Sequence, residues 1–399
     1  LEEEKQTPLQ IDAALPPAKT KTSSTPPLQD LVRAFPLLSR QLVLQQVAEA
    51  YPVDGFATTP AQQERAKELL VRYKHGRALF SQCLPASGSG YGLQTAHGHL
   101  AKYDFLDVLE IGVRLSLLSA ADHLRSGDFP AAMDELQLAS EALISLAKEP
   151  SLLARSTATR LRGEWCAASN LLLQSLVLPQ DLRLALLQSI RAQQSQLVPA
   201  AFHFSAERAA GLLVYEWVRQ GSFLSLLSSE EIKTLTDQGL LPATRQAAQQ
   251  NVDEDELFYL TQMRQLIAAS SRPFFSQSET FQKINDELAT RQKEGTYPLL
   301  AARLLQDLQA AGRWIALDET HLAAQEIALA TSLSIRPQSP EICPLNGNKF
   351  TVESTSFYCS VRYSLSDPSQ TKNSDASETV SCPMAESLAM PKRRPTSVR

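Results

Sequence analysis

The sequence predicts an all-α fold, a helix-pair array or bundle, that carries a small C-terminal β-hairpin. Three observations lead there. Apolar residues recur at three- and four-residue spacing almost throughout 28–333, while alternation of period two is nearly missing before residue 340. After Pro337 the pattern changes to short alternating stretches on either side of Glu353, Ser354 and Thr355, the mark of a hairpin. Both ends are polar and rich in Pro or Ser, with little to bury. The expected organisation is a disordered linker over 1–27, a helical body over 28–334, a hairpin appendage over 335–365 and a disordered tail over 366–399.

The elements follow in order. Residues 1–27 contain several prolines and few apolar side chains, so they read as a linker that tethers the body to something upstream. The first long helix is expected over 100–124, where Phe105, Val108, Leu109, Val113, Leu115, Leu117, Leu118 and Leu124 recur. It stops at Ser126-Gly127-Asp128, since a glycine readily takes the left-handed conformation that closes a helix. Pro130 suits the first turn of a second helix, which Met133, Leu136, Leu138, Leu143, Ile144 and Leu146 carry to Pro150. A tight turn makes the two helices antiparallel. Further helices are expected over 151–177, 180–196, 205–220, 229–238, 254–269, 274–293, 297–311 and 315–333. Ser228 and Glu231 have capping-box spacing, and Asp253, Glu254, Asp255 and Glu256 crowd a helix start where the dipole favours anions. Hairpin strands are expected over 348–353 and 356–363.

Composition limits the function. Of 399 residues, 43% are hydrophobic and 20% charged, the profile of a soluble globular chain, with 38 basic against 43 acidic residues. That balance lacks the cationic surface that phosphate neutralisation requires, so no nucleic-acid partner is expected. No window approaches 18 consecutive apolar residues. The chain begins at Leu1 without a methionine, so a trimmed start is expected, with a signal or membrane tether upstream of Leu1 and an exported or periplasmic, membrane-anchored protein. Five cysteines, Cys83, Cys166, Cys343, Cys359 and Cys382, are too few for a disulfide scaffold in a chain this long and lack paired CxxC spacing for zinc.

The helix pair around Gly127 resembles a single tetratricopeptide-type unit: Ala120, His123, Gly127, Phe129, Ala132, Leu136 and Ala139 stand at the matching offsets. Leu161 stands where a second copy would place its turn glycine, so the resemblance implies a helix-pair packing mode. A wider likeness runs over 100–221. The run GDFPAAMDELQLASEALISLAKEPSLLARSTATRLRGEWCAASN, then SAERAAGLLVYEWVRQG, resembles large uncharacterised helical envelope proteins of planctomycete-like bacteria. Near the C-terminus, CPLNGNKFTV and then FYCSVR are similar to the closing motif of type IV pilin-like proteins, with Arg362 in place of the usual His. In that motif a second Cys closes the hairpin. The resemblance therefore implies a Cys343–Cys359 disulfide in an exported protein, and no catalytic residues.

Candidate chemistry is sparse. His97-Gly98-His99 puts two imidazoles on a glycine-rich loop without the further ligands zinc needs, so a connector is expected. Gly88, Gly90 and Gly92 lack phosphate-loop spacing. Asp318 with His321 is a single i,i+3 pair, short of the duplicated motif of di-iron bundles, and reads as a surface pair. No G-x-S-x-G elbow and no transglycosylase signature occurs, and Cys166 beside Trp165 reads as a small buried hydrophobe. Neither cofactor nor metal is expected. Glu164, Glu207 and Glu216 lie in otherwise apolar or aromatic helices and need partners such as Arg162, Arg208 or Arg219, because an unpaired buried charge is costly. That face is either an interhelical salt-bridge network or a ligand groove lined by Trp165, Tyr215 and Trp217. The expected function is a non-enzymatic helical scaffold or protein- or peptide-binding module of the cell envelope. The alternative is a helical envelope hydrolase, lytic transglycosylase-like, using a single Glu such as Glu164 or Glu207. An enzyme would hold that Glu in a wet cleft with a raised pKa, whereas a scaffold would pair it with Arg.

Overall fold

Helix punctuation in the sequence is realised from the first described turn. The structure is a computed structural model that describes residues 26–50, 59–85, 90–91, 104–174, 178–293, 299–355, 358–365 and 377–384. Of the linker expected over 1–27, residues 1–25 lie outside the described residues, as do the His97-Gly98-His99 loop and the end of the tail beyond 384, while Pro26 and Pro27 already belong to the first helix. Helices α1 (Pro26–Ala34) and α2 (Leu37–Ala50) meet at Pro36, where buried Arg40 donates from Nε to the Phe35 carbonyl (2.8 Å). Helix α3 (Pro60–Arg72) opens on a reciprocal capping box between Thr59 and Gln62, and α4 (Lys74–Gln82) follows.

The helix pair around Gly127 forms as expected. Helix α5 (Asp104–Ser126) ends where Gly127 takes φ +79°, and the Asp128 N–H donates back to the His123 carbonyl (2.9 Å). Asp128 then caps α6 (Phe129–Ala147) by accepting from the Ala131 N–H (3.3 Å). Ala120, Ala132, Leu136 and Ala139 are buried.

Beyond it come α7 (Leu152–Gln174), α8 (Gln180–Ser195), α9 (Ala200–Arg219), α10 (Ser229–Asp237) and α11 (Leu241–Gln250). The last group is α12 (Val252–Ala269), α13 (Ser278–Lys293), α14 (Leu300–Leu305) and α15 (Leu308–Ser332). The break expected after 311 falls earlier, at 306–307, so α15 takes in Gly312. Where α9 crosses α12, a Cβ on Gly211 would collide with the Tyr259 ring, so this close approach requires glycine.

Helix α15 runs back across α7 and α8, a closure that stacking of sequence neighbours alone does not produce. It is buried on most of its circumference, and fully buried Glu326 anchors the chain that leaves it. That carboxylate accepts from Arg191 (2.7 Å), from the Gln338 N–H (3.1 Å) and from the Ser339 N–H (3.2 Å). Among the described residues no helix is long and apolar enough to cross a membrane.

The C-terminal β structure is larger than a hairpin. Strands β1 (Thr351–Ser354), β2 (Tyr358–Ser364) and β3 (Ser377–Pro383) form an antiparallel sheet in the order β1-β2-β3. The third strand comes from the segment expected to be a disordered tail. It orders because Val380 and Cys382 alternate inward into the same core as Cys359 and Val361 of the middle strand, while Arg183 Nη1 of α8 donates to the Pro383 carbonyl (2.8 Å). Residues from Leu28 to Cys382 share one buried apolar cluster, so the sheet is part of the body.

Candidate functional site

The sheet docks on α7 and α15 and leaves a cleft of about 750 Å³ between them. One wall is a charge ladder. Glu164 of α7 accepts from Arg114 Nη2 (2.7 Å) and Nε (3.0 Å), and Arg160 grips Glu110 with both terminal nitrogens (2.9 and 2.6 Å). Arg114 also reaches Glu110 (2.9 Å), one helical turn away on α5. Planar forks of this kind fix geometry as well as charge.

The facing wall comes from α15 and the sheet. His321 Nε2 lies 3.1 Å from Glu378 Oε2, and the Tyr363 hydroxyl donates to the same carboxylate oxygen. The His321 imidazole holds the Glu378 carboxyl below its ordinary range, with Tyr363 acting in the same direction against partial burial. At the floor Gln325 Nε2 donates to the Cys166 carbonyl (2.8 Å) and to Asn170 Oδ1 (3.2 Å). Burial pushes the Cys166 thiol far above its ordinary value, so it stays a neutral thiol.

The run Arg162-Gly163-Glu164-Trp165-Cys166 is divided by the helix. Gly163, Glu164 and Cys166 line the cleft, whereas Arg162 and Trp165 point into the core. The proposed aromatic groove is therefore not formed. Trp165 is fully buried and its Nε1 donates to the Leu136 carbonyl (2.8 Å); Tyr215 is fully buried and donates to Asp255 Oδ1 (2.8 Å); Trp217 is partly buried. Aromatics at helical spacing filled the core because their area is worth most there.

Of the proposed arginine partners, Arg219 does pair with Glu216 (2.8 Å), whereas Arg162 goes to another acid. Arg162 Nε meets Asp318 Oδ1 (2.6 Å), Arg208 is buried, and Arg219 bridges Glu216, Asp253 and Glu256. Glu164 takes Arg114 rather than Arg162. Asp318 and His321 do not form a surface pair either. Asp318 is fully buried between Arg155 (2.9 Å) and Arg162, while His321 turns to the cleft.

All five cysteines are free, so the expected Cys343–Cys359 disulfide is absent. The reason is register: β1 begins only at Thr351 and sets Ser354 opposite Cys359, whereas Cys343 packs on α15 with its Sγ 3.6 Å from Thr320 Oγ1. Cys382 instead faces Cys359 across β2 and β3.

Sequence reasoning missed Glu378, Tyr363, Glu110 and Arg114. Glu110 and Arg114, four residues apart within an apolar run, were a readable sign of a charged contact. Glu378 was hidden by the polar composition around it. Among the described residues no group of three or more His, Cys, Asp or Glu is placed to hold a metal. No family model, no curated protein and no solved structure matches this chain.

Proposed function

We propose that the protein is a non-enzymatic binding module of the cell envelope whose cleft between α7, α15 and the sheet takes an extended peptide from a protein partner. The observation that carries this reading is that β3, an edge strand among the described residues, forms part of the cleft wall through Glu378, Thr379 and Val380. An edge strand can pair with an added strand, main chain to main chain, while flanking pockets choose side chains. Asn170, Gln174 and Gln325 add amide donors and acceptors suited to a peptide. The pairing of Glu164 with Arg114 favours recognition over acid catalysis, and the neutral Cys166 thiol offers no nucleophile. The envelope setting rests on the pilin-like and envelope-protein resemblances, and the α5–α6 pair supports a tetratricopeptide-like mode of helix packing.

The test is fluorescence anisotropy with a library of labelled octapeptides, followed by Asn170→Trp, which fills the cleft from its floor. Selected peptides should bind the native chain and lose at least tenfold in affinity to the variant at equal melting temperature. Equal binding to both proteins overturns the reading. Cleavage of glycan strands that disappears in Glu164→Gln would establish the hydrolase alternative instead.

A further inference from the structure

Helix α15 lines a second cleft on another of its faces. Gly312, Ile315, Ala316 and Glu319 recur at three- and four-residue spacing and form one stripe, which faces the turn before α9 and the segment 270–277. The cleft measures about 520 Å³ and its walls are mainly apolar, with Leu197, Pro199, Phe274, Phe275, Ile315 and Ile342 among the lining residues. Glu319 is the one carboxylate among the lining residues, and Arg272 stands exposed at the rim.

Glu319 differs from every other buried or half-buried acid described above. Glu110, Glu164, Asp255, Asp318, Glu326 and Glu378 each have a cation or a set of donors in contact. Among the described residues nothing donates a hydrogen bond to Glu319 and no cation makes an ion pair with it. Arg155, whose positive charge acts on it, is committed to Asp318 (2.9 Å). Burial raises the Glu319 pKa, and the Asp318 charge adds to that effect while Arg155 opposes it. A half-buried carboxylate with no cation in contact, set among mainly apolar walls, is stabilised by a cation that a ligand brings.

We propose that this cleft binds an amine: the ammonium group sits on the Glu319 carboxylate and its apolar or aromatic body lies against Phe275 and Ile342. Charge complementarity selects the occupant, because among the described residues no cation is in ion-pair contact with the carboxylate and the remaining walls match an apolar body. A ring and an ammonium within reach of one another also gain cation–π attraction. The ammonium could belong to a small amine or to a lysine side chain of a peptide, and both share this chemistry.

The probes are 2-phenylethylamine, its neutral counterpart 2-phenylethanol and the tripeptide Gly-Lys-Gly, titrated calorimetrically into the full chain. The amine should bind at least tenfold more tightly than the alcohol, lose that advantage in Glu319→Gln, and raise the melting temperature of the native chain but not of the variant. Tighter binding of 2-phenylethylamine than of Gly-Lys-Gly assigns the site to small amines, and the reverse order to lysine side chains. Equal affinity for amine and alcohol, unchanged binding in Glu319→Gln, or no binding of either amine at millimolar concentration overturns the proposal. Asn170→Trp, which blocks the other cleft, should leave amine binding intact, so the two sites fail independently.

Discussion

Four donors converge on the carboxylate of Asp255: the Tyr215 hydroxyl (2.8 Å) and the backbone N–H groups of Leu299 (2.6 Å), Leu300 (2.9 Å) and Ala301 (2.8 Å). Read locally, this acid belongs to the anionic first turn of its own helix; in the structure it caps α14 across the fold. Asp255→Asn should cost about 2 kcal/mol, since hydrogen bonds to a charged group are worth about 1.5–3 kcal/mol each and the amide still accepts some of them. Urea unfolding midpoints measure this, and Tyr215→Phe should cost about half as much. His203 is a second buried polar group with a measurable signature. Burial, then the positive charge of Arg155, bring its pKa down to about 3, against about 6.5 in an unfolded chain. Between those values the unfolded state holds a proton that the folded state does not, so stability falls as pH drops through this window, by at most about 1.4 kcal/mol per pH unit. His203→Gln should flatten that slope in unfolding midpoints taken at pH 7, 5.5 and 4; an unchanged slope would place the acid sensitivity elsewhere. The Ser228–Glu231 capping box, closed within four residues, could be read directly, whereas the partners of Asp255 lie forty or more positions away and leave no local trace.

Among the elements, α15 shows why helical periodicity identifies a helix but not its faces. Its inward stripe carries Asp318 and Leu322, another carries Ile315 and Glu319 into the cleft beside 270–277, and a third carries His321 and Gln325 into the cleft against the sheet. With apolar residues on nearly every side, the sequence marks a buried helix without saying which charged residue meets which neighbour. The sheet teaches the complementary lesson. A Ser-rich segment with two inward residues, Val380 and Cys382, was enough for a strand once α7 and α15 offered a surface, while composition alone suggested a tail. Its register makes a redox prediction. Cys359 and Cys382 are direct partners, and such residues lie about 4.5–5.5 Å apart between Cα atoms, within the roughly 4.4–6.8 Å that a disulfide spans. Burial lifts both thiols, Cys382 to about 12, so the bond should form slowly at neutral pH and faster under alkaline oxidation. Peptide mapping after diamide treatment should find Cys359 joined to Cys382; a Cys343–Cys359 product would contradict this register.

At the scale of the whole molecule, the all-helical body was legible because its three- and four-residue spacing persists over some three hundred positions. The return of α15 onto α7 and α8, and the third strand that completes the sheet, depend on contacts between distant segments and had no local signal. A chain ended after residue 365 should therefore keep its helical circular dichroism yet lose about 3 kcal/mol or more, the burial of Val380 and Cys382 together with the pairing of a strand. Scanning calorimetry and binding of a hydrophobic dye would register this, and unchanged values in both would show that β3 is dispensable. The position of β3, after every described helix in the sequence, also orders events during synthesis. At about 5–20 residues per second, the helices have emerged and begun to collapse seconds before Ser377–Pro383 leave the ribosome. Until then the strip of α7 and α15 that the strand will cover is open to chaperones, and a premature stop codon ahead of Ser377 would leave it open for good.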